Sequence, residues 1–263
     1  MAPRFKPEAV WHNFTRDDFP TMALGRRLDH PSRDYFYRWL GHQALQSSPV
    51  LRWCDVGVLS MVDYVNVRRR LDPVASGRIV YTGLEIGEPI AAEARRRLLR
   101  VEDRIVMGDL EDPGLSASVT ERFDALSIRH VLNHSRYYEI PLQNAFDLLA
   151  PGGKVFVNLH MKCSVDRDVL ETRPMPGVTG EYIENVYEFD GFLRRFSALF
   201  AVESVAEIDW TSDARNKPNQ IFVGVKAGYP RRARPETIRV SPSRLADLVG
   251  SLRRRLGSWV SPR

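Results

Sequence analysis

The sequence predicts an α/β protein: a doubly wound, seven-stranded sheet, mostly parallel, with an antiparallel last strand and helices on both faces. Three observations predict it. From Val50 onward, short apolar runs alternate with stretches of helical periodicity, the pattern of strands joined by helical crossovers. The runs are nearly continuous in apolar residues, as strands covered on both faces read. The last two runs are joined by a short polar link with no helix between them, so they must pair antiparallel.

In chain order, residues 1–47 are expected to form an N-terminal helical lid segment. Pro3, Pro7 and Pro20 interrupt any long helix there, because proline removes a donor and clashes with the preceding turn. His30-Pro31-Ser32-Arg33-Asp34 then reads as a helix start, with Ser32 as cap and Tyr35, Phe36, Trp39 and Leu40 at helical spacing. Arg33, Tyr35 or Tyr37 on that helix can reach a pocket beneath it. Residues 48–228 are expected to be the main domain. Its strands are read at 51–56, 79–84, 104–107, 123–128 and 154–159, and its helices at 63–71, 89–101 and 138–149. A loop rich in Pro, Gly and charge spans roughly 161–181. A helix at 188–200 and strands at 202–210 and 220–226 complete the domain. Residues 229–263 form a basic tail.

Composition sets outer limits. The chain has 263 residues, 43% hydrophobic and 27% charged, the range of an ordinary globular domain able to bury a sizeable core. Cys54 and Cys163 show no CxxC or Cys/His ligand spacing, which argues against a disulfide framework or a structural zinc and fits a reducing cytoplasm. The first residues lack the apolar core of a secretory signal, and no apolar run approaches the ~20 residues that cross a bilayer. The expected location is cytoplasmic, at most peripheral to a membrane. The net charge of +5 is concentrated in residues 231–263, where nine arginines face only Glu236 and Asp247. No basic stripe with interleaved aromatics marks the domain itself, so no nucleic-acid partner is expected.

Chemistry is concentrated at the strand ends, where ligands sit in open α/β sheets. Asp55-Val56-Gly57 follows the first strand, and a Gly there lets backbone approach a ligand closely. Glu85 ends the second strand and is able to accept hydrogen bonds from a ribose diol; the plainer reading is a surface acid capping the next helix. Gly108-Asp109-Leu110 follows the third strand, and Arg129-His130-Val131-Leu132-Asn133-His134 the fourth.

In that order and spacing the chain resembles the class I S-adenosylmethionine-dependent methyltransferases, over roughly residues 48–227. Leu149-Ala150-Pro151-Gly152-Gly153-Lys154 resembles the family's turn into the fifth strand, and the closing strand pair resembles its sixth and seventh strands. The resemblance implies S-adenosylmethionine as cofactor, with Asp55, Gly57, Ser60, Glu85, Asp109, Leu110 and Arg129 as the residues that bind it. One departure stands out. The family's glycine-rich turn reads acidic-x-Gly-x-Gly-x-Gly, whereas Leu59 and Met61 occupy the second and third glycine positions here. Side chains resist the positive φ that glycine tolerates. Either the loop takes a somewhat different path with Ser60 helping to hold the cofactor, or cofactor binding is weakened or lost.

Methyl transfer needs an aligned acceptor and, for a hydroxyl, a base. His134 is the expected catalytic base and His130 a pocket wall, with His160 a further candidate. His130 and His134 are four apart and would share a face if helical. The alternative is that either histidine simply satisfies backbone groups; without an HExxH pattern, no metal is expected. The leading expectation is O-methylation of a small-molecule or saccharide hydroxyl. The alternative is a non-catalytic methyltransferase-like binding or scaffold protein with a degenerate cofactor loop. In the tail, Leu245, Leu248, Val249, Leu252, Leu256 and Trp259 fall on one helical face, off which Arg253, Arg254 and Arg255 mostly lie. Residues 243–259 would then dock on the domain, pair with another subunit, or rest in an anionic membrane interface.

Overall fold

In a computed structural model, residues 31–59, 61–135, 137–159, 168–174, 181–208, 219–227 and 237–240 are described. The expectations for Ser60, His160, the first 30 residues and the tail helix over residues 243–259 fall outside them. Helix α1 (Pro31–Gln46) leads into β1 (Leu51–Val56), α2 (Val62–Arg70), the short α3 (Pro73–Arg78), β2 (Ile79–Glu85), α4 (Glu88–Arg96) and β3 (Arg104–Met107). Then follow the short α5 (Leu115–Ser118), β4 (Phe123–Arg129), a 3-10 turn (Leu132–His134), α6 (Glu139–Leu148) and β5 (Leu149–Leu159). After them come β6 (Val169–Pro174), β7 (Glu181–Val186), α7 (Phe189–Leu199), β8 (Ala201–Ile208), β9 (Asn219–Val225) and β10 (Thr237–Val240).

The main sheet runs β10-β8-β9-β5-β4-β1-β2-β3. Strands β3, β2, β1, β4 and β5 are mutually parallel, and β9 pairs antiparallel with both β5 and β8. That is the expected seven-stranded, doubly wound order, with one strand more: β10 adds parallel to β8. The inner parallel strands are buried on both faces, β1 through Trp53 and Cys54 and β4 through Ala125, Leu126 and Ile128, which is why these runs lack polar alternation; the edge strand β3 exposes Arg104 and Met107.

Two cores flank the sheet. On one face α1, α2 and α4 pack Phe36, Leu40, Tyr64, Val67, Ile90 and Ala94 over Trp53, Tyr81 and Phe156. Trp53 meets Tyr81 edge-on at 4.9 Å, and Phe36 lies 5.1 Å from Phe156. On the other face α6 and α7 pack Leu142, Leu148, Phe192, Phe196 and Phe200 against Leu126, Val157 and Phe222. Helix α2 is pinned by a buried ion pair, Arg68 to Asp103 at 2.7 Å, and by the Tyr64 hydroxyl donating to Asp103 at 2.7 Å. This anchor lies before β3, away from the carboxyl ends of the strands, and it fixes the helix whose first turn carries Asp63.

Four sequence readings are corrected. Residues 161–181 are not all loop: β6 and β7 form an antiparallel hairpin separate from the main sheet. Residues 149–153 do not turn into β5 but already belong to it, as a bulged start with Gly152 at φ +76°. Ser32 sits inside the first turn of α1 rather than capping it, since the helix begins at Pro31. His130 and His134 do not share a helix: His130 has φ +60°, a left-handed residue that breaks any helix, and His134 closes a separate 3-10 turn.

Candidate functional site at the carboxyl ends of the strands

The register of the sheet brings the strand ends into line. Asp55 of β1 lies beside Gly83 of β2 and Ser127 of β4, and Glu85 of β2 beside Met107 of β3. Asp55 is buried and accepts a hydrogen bond from the Ser127 hydroxyl at 2.6 Å, while Trp53 Nε1 donates to that hydroxyl at 2.9 Å. The indole thus fixes the hydroxyl and the hydroxyl fixes the carboxyl. Burial first, then the neighbouring Asp63 charge, raise the Asp55 carboxyl above the ordinary carboxylate range, against the opposing pull of Ser127 and Arg129.

The turn after β1 has left-handed backbone at alternate positions: Gly57 at φ +71°, Leu59 at +40° and Met61 at +57°. The chain does not avoid at Leu59 and Met61 the conformation that glycine would give; it holds it with side chains present. Such residues cost about 1–3 kcal/mol each and persist only where surroundings over-determine them. Here Met61 is 1% exposed in the core and takes a contact from the Tyr81 hydroxyl at 3.6 Å to its sulfur, and its amide bonds the Val58 carbonyl at 2.8 Å. Leu59 packs at the edge of the same core and donates its amide to Glu85 Oε2 at 3.2 Å. A Cβ on Gly57 would meet Val131 Cγ2 at 2.7 Å, so the post-β4 segment closes tightly on this turn.

Glu85 is not a surface acid. It is 4% exposed, and its Oε1 accepts the amides of Ile86 at 2.9 Å and Gly87 at 3.1 Å, Gly87 being the residue that caps α4. Burial raises its carboxyl, opposed by these amides. Leu59, Ile86 and Gly87 donate to this carboxylate and the Val58 amide acts on it as well, so a ligand hydroxyl would have to share or displace one of these amides. Asp109 is half-buried and uses Oδ1 to accept the Glu111 amide at 2.8 Å, an Asx turn after β3. The Leu110 side chain belongs to the core, and its carbonyl accepts from Asn144 at 2.8 Å.

Arg129, at the end of β4, is the centre of a cluster only partly legible in the sequence. Its guanidinium pairs with Asp63 on α2 and lies 4.9 Å from the centroid of the Phe36 ring on α1. Tyr37 donates to Asp63 Oδ1 at 2.8 Å and accepts from Asn66 at 2.9 Å. Of the three lid residues considered, Tyr37 reaches this cluster, Arg33 acts on Asp63 through its charge, and Tyr35 turns instead to Ser204 on β8, 3.5 Å away. Burial alone would raise the Asp63 carboxyl, but Arg129, Arg33 and the Tyr37 hydrogen bond together hold it below its ordinary value. Arg129 Nε and Nη2 are buried and meet no hydrogen-bond acceptor among the described residues. Such orphaned donors are costly. A ligand carboxylate beside Asp55 and Asp63 would satisfy them, so the residues present fit a zwitterionic amino-acid group.

His134 is placed by the hairpin. Its Nδ1 lies 2.9 Å from the carbonyl oxygen of Ile183 on β7. Asn133 donates to the Asn185 carbonyl at 2.7 Å, and Asn185 in turn to the Ser135 carbonyl at 3.3 Å. His130 is half-buried beside the first turn, its amide bonded to the Asn158 carbonyl at 2.8 Å. Sequence reasoning named both histidines, Tyr37 and Arg129, but missed Asp63, Asn185 and Tyr187. The one local signal was an acidic residue opening the helix after the glycine turn. Among the described residues, no group of three His, Cys, Asp or Glu side chains is arranged to hold a metal, and no helix is long and apolar enough to cross a membrane.

No protein-family model and no curated protein matches the chain. Solved structures do. An N1-methyltransferase for 1,6-didemethyltoxoflavin from Burkholderia thailandensis, solved with that compound and S-adenosylhomocysteine, aligns with TM-score 0.55 and 15% identity over 81% of this chain and 87% of that one. The N-terminal domain of EvdMO1, solved with S-adenosylhomocysteine and D-fucose, gives 0.53 and 17% over 75% and 84%. The N-methyltransferase NodS from Bradyrhizobium japonicum gives 0.53 and 13% over 76% and 98%. The fold is therefore the Rossmann-like sheet of the S-adenosylmethionine-dependent methyltransferases.

Proposed function

We propose that the protein is an S-adenosylmethionine-dependent methyltransferase that methylates a hydroxyl of a small molecule or saccharide. The observation that carries this reading is the line of acids at the carboxyl ends of three adjacent parallel strands, Asp55, Glu85 and Asp109, beside a turn that is left-handed at residues 57, 59 and 61. Asp55 would hold the amino group of the cofactor, Glu85 the ribose diol and Asp109 with Leu110 the adenine edge. Arg129 would hold the carboxylate. Asp63 already pairs with Arg129, so that guanidinium does not repel a cationic ligand. Asp55, which burial and Asp63 keep protonated, would give up its proton beside a ligand ammonium. Bound there, the cofactor supplies an electrophilic methyl group on a sulfonium. His134 would take the proton of the acceptor hydroxyl on Nε2 and return it to solvent. The similar structures include N-methyltransferases and one solved with a sugar; the choice of oxygen rests on His134, because a neutral amine attacks without prior deprotonation.

A second reading, a non-catalytic binding or scaffold protein, draws on Glu85, whose carboxylate already collects three amides and is 4% exposed. Calorimetric titration with S-adenosylmethionine and S-adenosylhomocysteine separates the two. Micromolar binding, abolished in a Glu85→Ala variant whose melting curve remains cooperative, supports the enzyme. Absence of binding at millimolar ligand sinks it.

A further inference from the structure

We propose that the β6–β7 hairpin is a positioning device that locks His134 into one tautomer, which makes Tyr187 and Asn185 positioning residues for proton removal. The inference rests on the methyltransferase reading for the purpose of that proton, but its geometry stands independently. A carbonyl oxygen only accepts, so the 2.9 Å contact with Ile183 requires the proton on His134 Nδ1. The neutral ring then carries its lone pair on Nε2. An imidazole in water exchanges between both tautomers, and in one of them Nε2 cannot act as a base.

The turn that carries His134 is tied at every residue to β7 or to Tyr187, the residue that follows it. The Tyr187 hydroxyl reaches the carbonyls of Leu132 and Ser135, the second at 2.9 Å. Asn133 and Asn185 tie the two segments at 2.7 and 3.3 Å. Ile183 and Asn185 are alternate positions on β7 and so share a face, and Tyr187 continues the alternation, all three being buried while 184 and 186 are only half-buried. Asn133, Ser135, Asn185 and Tyr187 are all under 5% exposed, so these bonds are shielded from competing water. The Tyr187 ring is wedged 4.8 Å from Tyr138 and 5.6 Å from Phe192, which anchors its hydroxyl to the core on which α6 and α7 pack. A side-chain partner for Nδ1 would add rotamer freedom, whereas a strand carbonyl moves only with the hairpin.

The test is long-range proton–nitrogen correlation NMR on the full chain with labelled histidine, at a pH where the rings are neutral and without cofactor. The His134 signals are assigned by their loss in His134→Gln. Wild type should give the Nδ1–H pattern. In Tyr187→Phe, which keeps the wedged ring, the Nε2 resonance should shift toward the average of the two tautomers, while His42 on α1 stays unchanged. Asn185→Ala serves as a second variant and should act in the same direction. An Nε2–H pattern in wild type, or an unchanged His134 in both folded variants, overturns the proposal. Failure of S-adenosylmethionine to bind in calorimetry would end the methyl-transfer reading alone, since the tautomer is read without it.

Discussion

Replacing Met61 separates backbone strain from packing. At φ +57° a side chain costs about 1–2 kcal/mol relative to glycine, so Met61→Gly recovers roughly that much. Against it stands the loss of a side chain that is 1% exposed, at about 2–5 kcal/mol for a buried methionine cut to alanine. The freer unfolded chain adds about 0.5–1 kcal/mol more. The balance is a loss of about 0.5–5 kcal/mol, typically several degrees in melting temperature for a chain of this size. The decisive comparison is Met61→Ala. In a right-handed helix alanine would be the more stable of the two replacements; at a left-handed position it should be the less stable, by about 1 kcal/mol. Leu59→Gly, at φ +40° on a half-buried residue whose amide bond to Glu85 survives, should change stability little, since strain relief of about 1–2 kcal/mol offsets lost packing and chain entropy. Urea unfolding of the three variants measures all of this. If Met61→Ala proves more stable than Met61→Gly, residue 61 is not strained and the account of the turn fails.

Two further outcomes follow from the charged cluster. Burial and then Asp63 raise the Asp55 carboxyl, so the folded protein keeps a proton that the unfolded chain releases near pH ~4. Stability from this group is complete below that pH and is lost as pH climbs toward the raised folded value. Asp55→Asn should flatten that fall in the urea midpoint, and parallel slopes in wild type and variant would refute it. In the Arg129–Asp63 pair the side chains are 2% and 17% exposed. Asp63→Ala strands a buried guanidinium and should cost about 3–5 kcal/mol. Arg129→Met should cost less, because Asp63 keeps some water and the Tyr37 hydroxyl; the reverse ranking would mean that the pair is not what holds Arg129.

Much of the fold was legible because parallel strands announce themselves locally. The runs at 51–56 and 104–107 coincide with β1 and β3, and those at 79–84 and 123–128 stop one residue short of the ends of β2 and β4. The short α3 carries its own signal, Asp72 accepting the Val74 amide ahead of Pro73 at the first helical position, yet the sequence reading placed no element between the helix at 63–71 and the strand at 79–84. The hairpin was hidden for another reason. Val169-Leu170-Glu171-Thr172-Arg173-Pro174 mixes apolar and polar residues without a clean alternation, and what holds its partner strand β7 in place is docking on residues 132–135, some 50 positions away in the chain. No local pattern records such a contact.

The sequence alone determined the run of main-sheet strands β1 to β5 and their principal helices, the acids and glycine at the strand ends, and the class of fold they belong to, because each depends on residue type and short-range period. Only the tertiary structure decided the rest. It showed Leu59 and Met61 held left-handed where glycine is usual, since the burial of Met61 and the carboxylate of Glu85 lie in other elements. It joined Asp63 to Arg129 across 66 residues and turned His134 toward Ile183. Backbone strain and buried charge are stable only when distant parts of the chain close around them, and that closure is written in no single stretch of sequence.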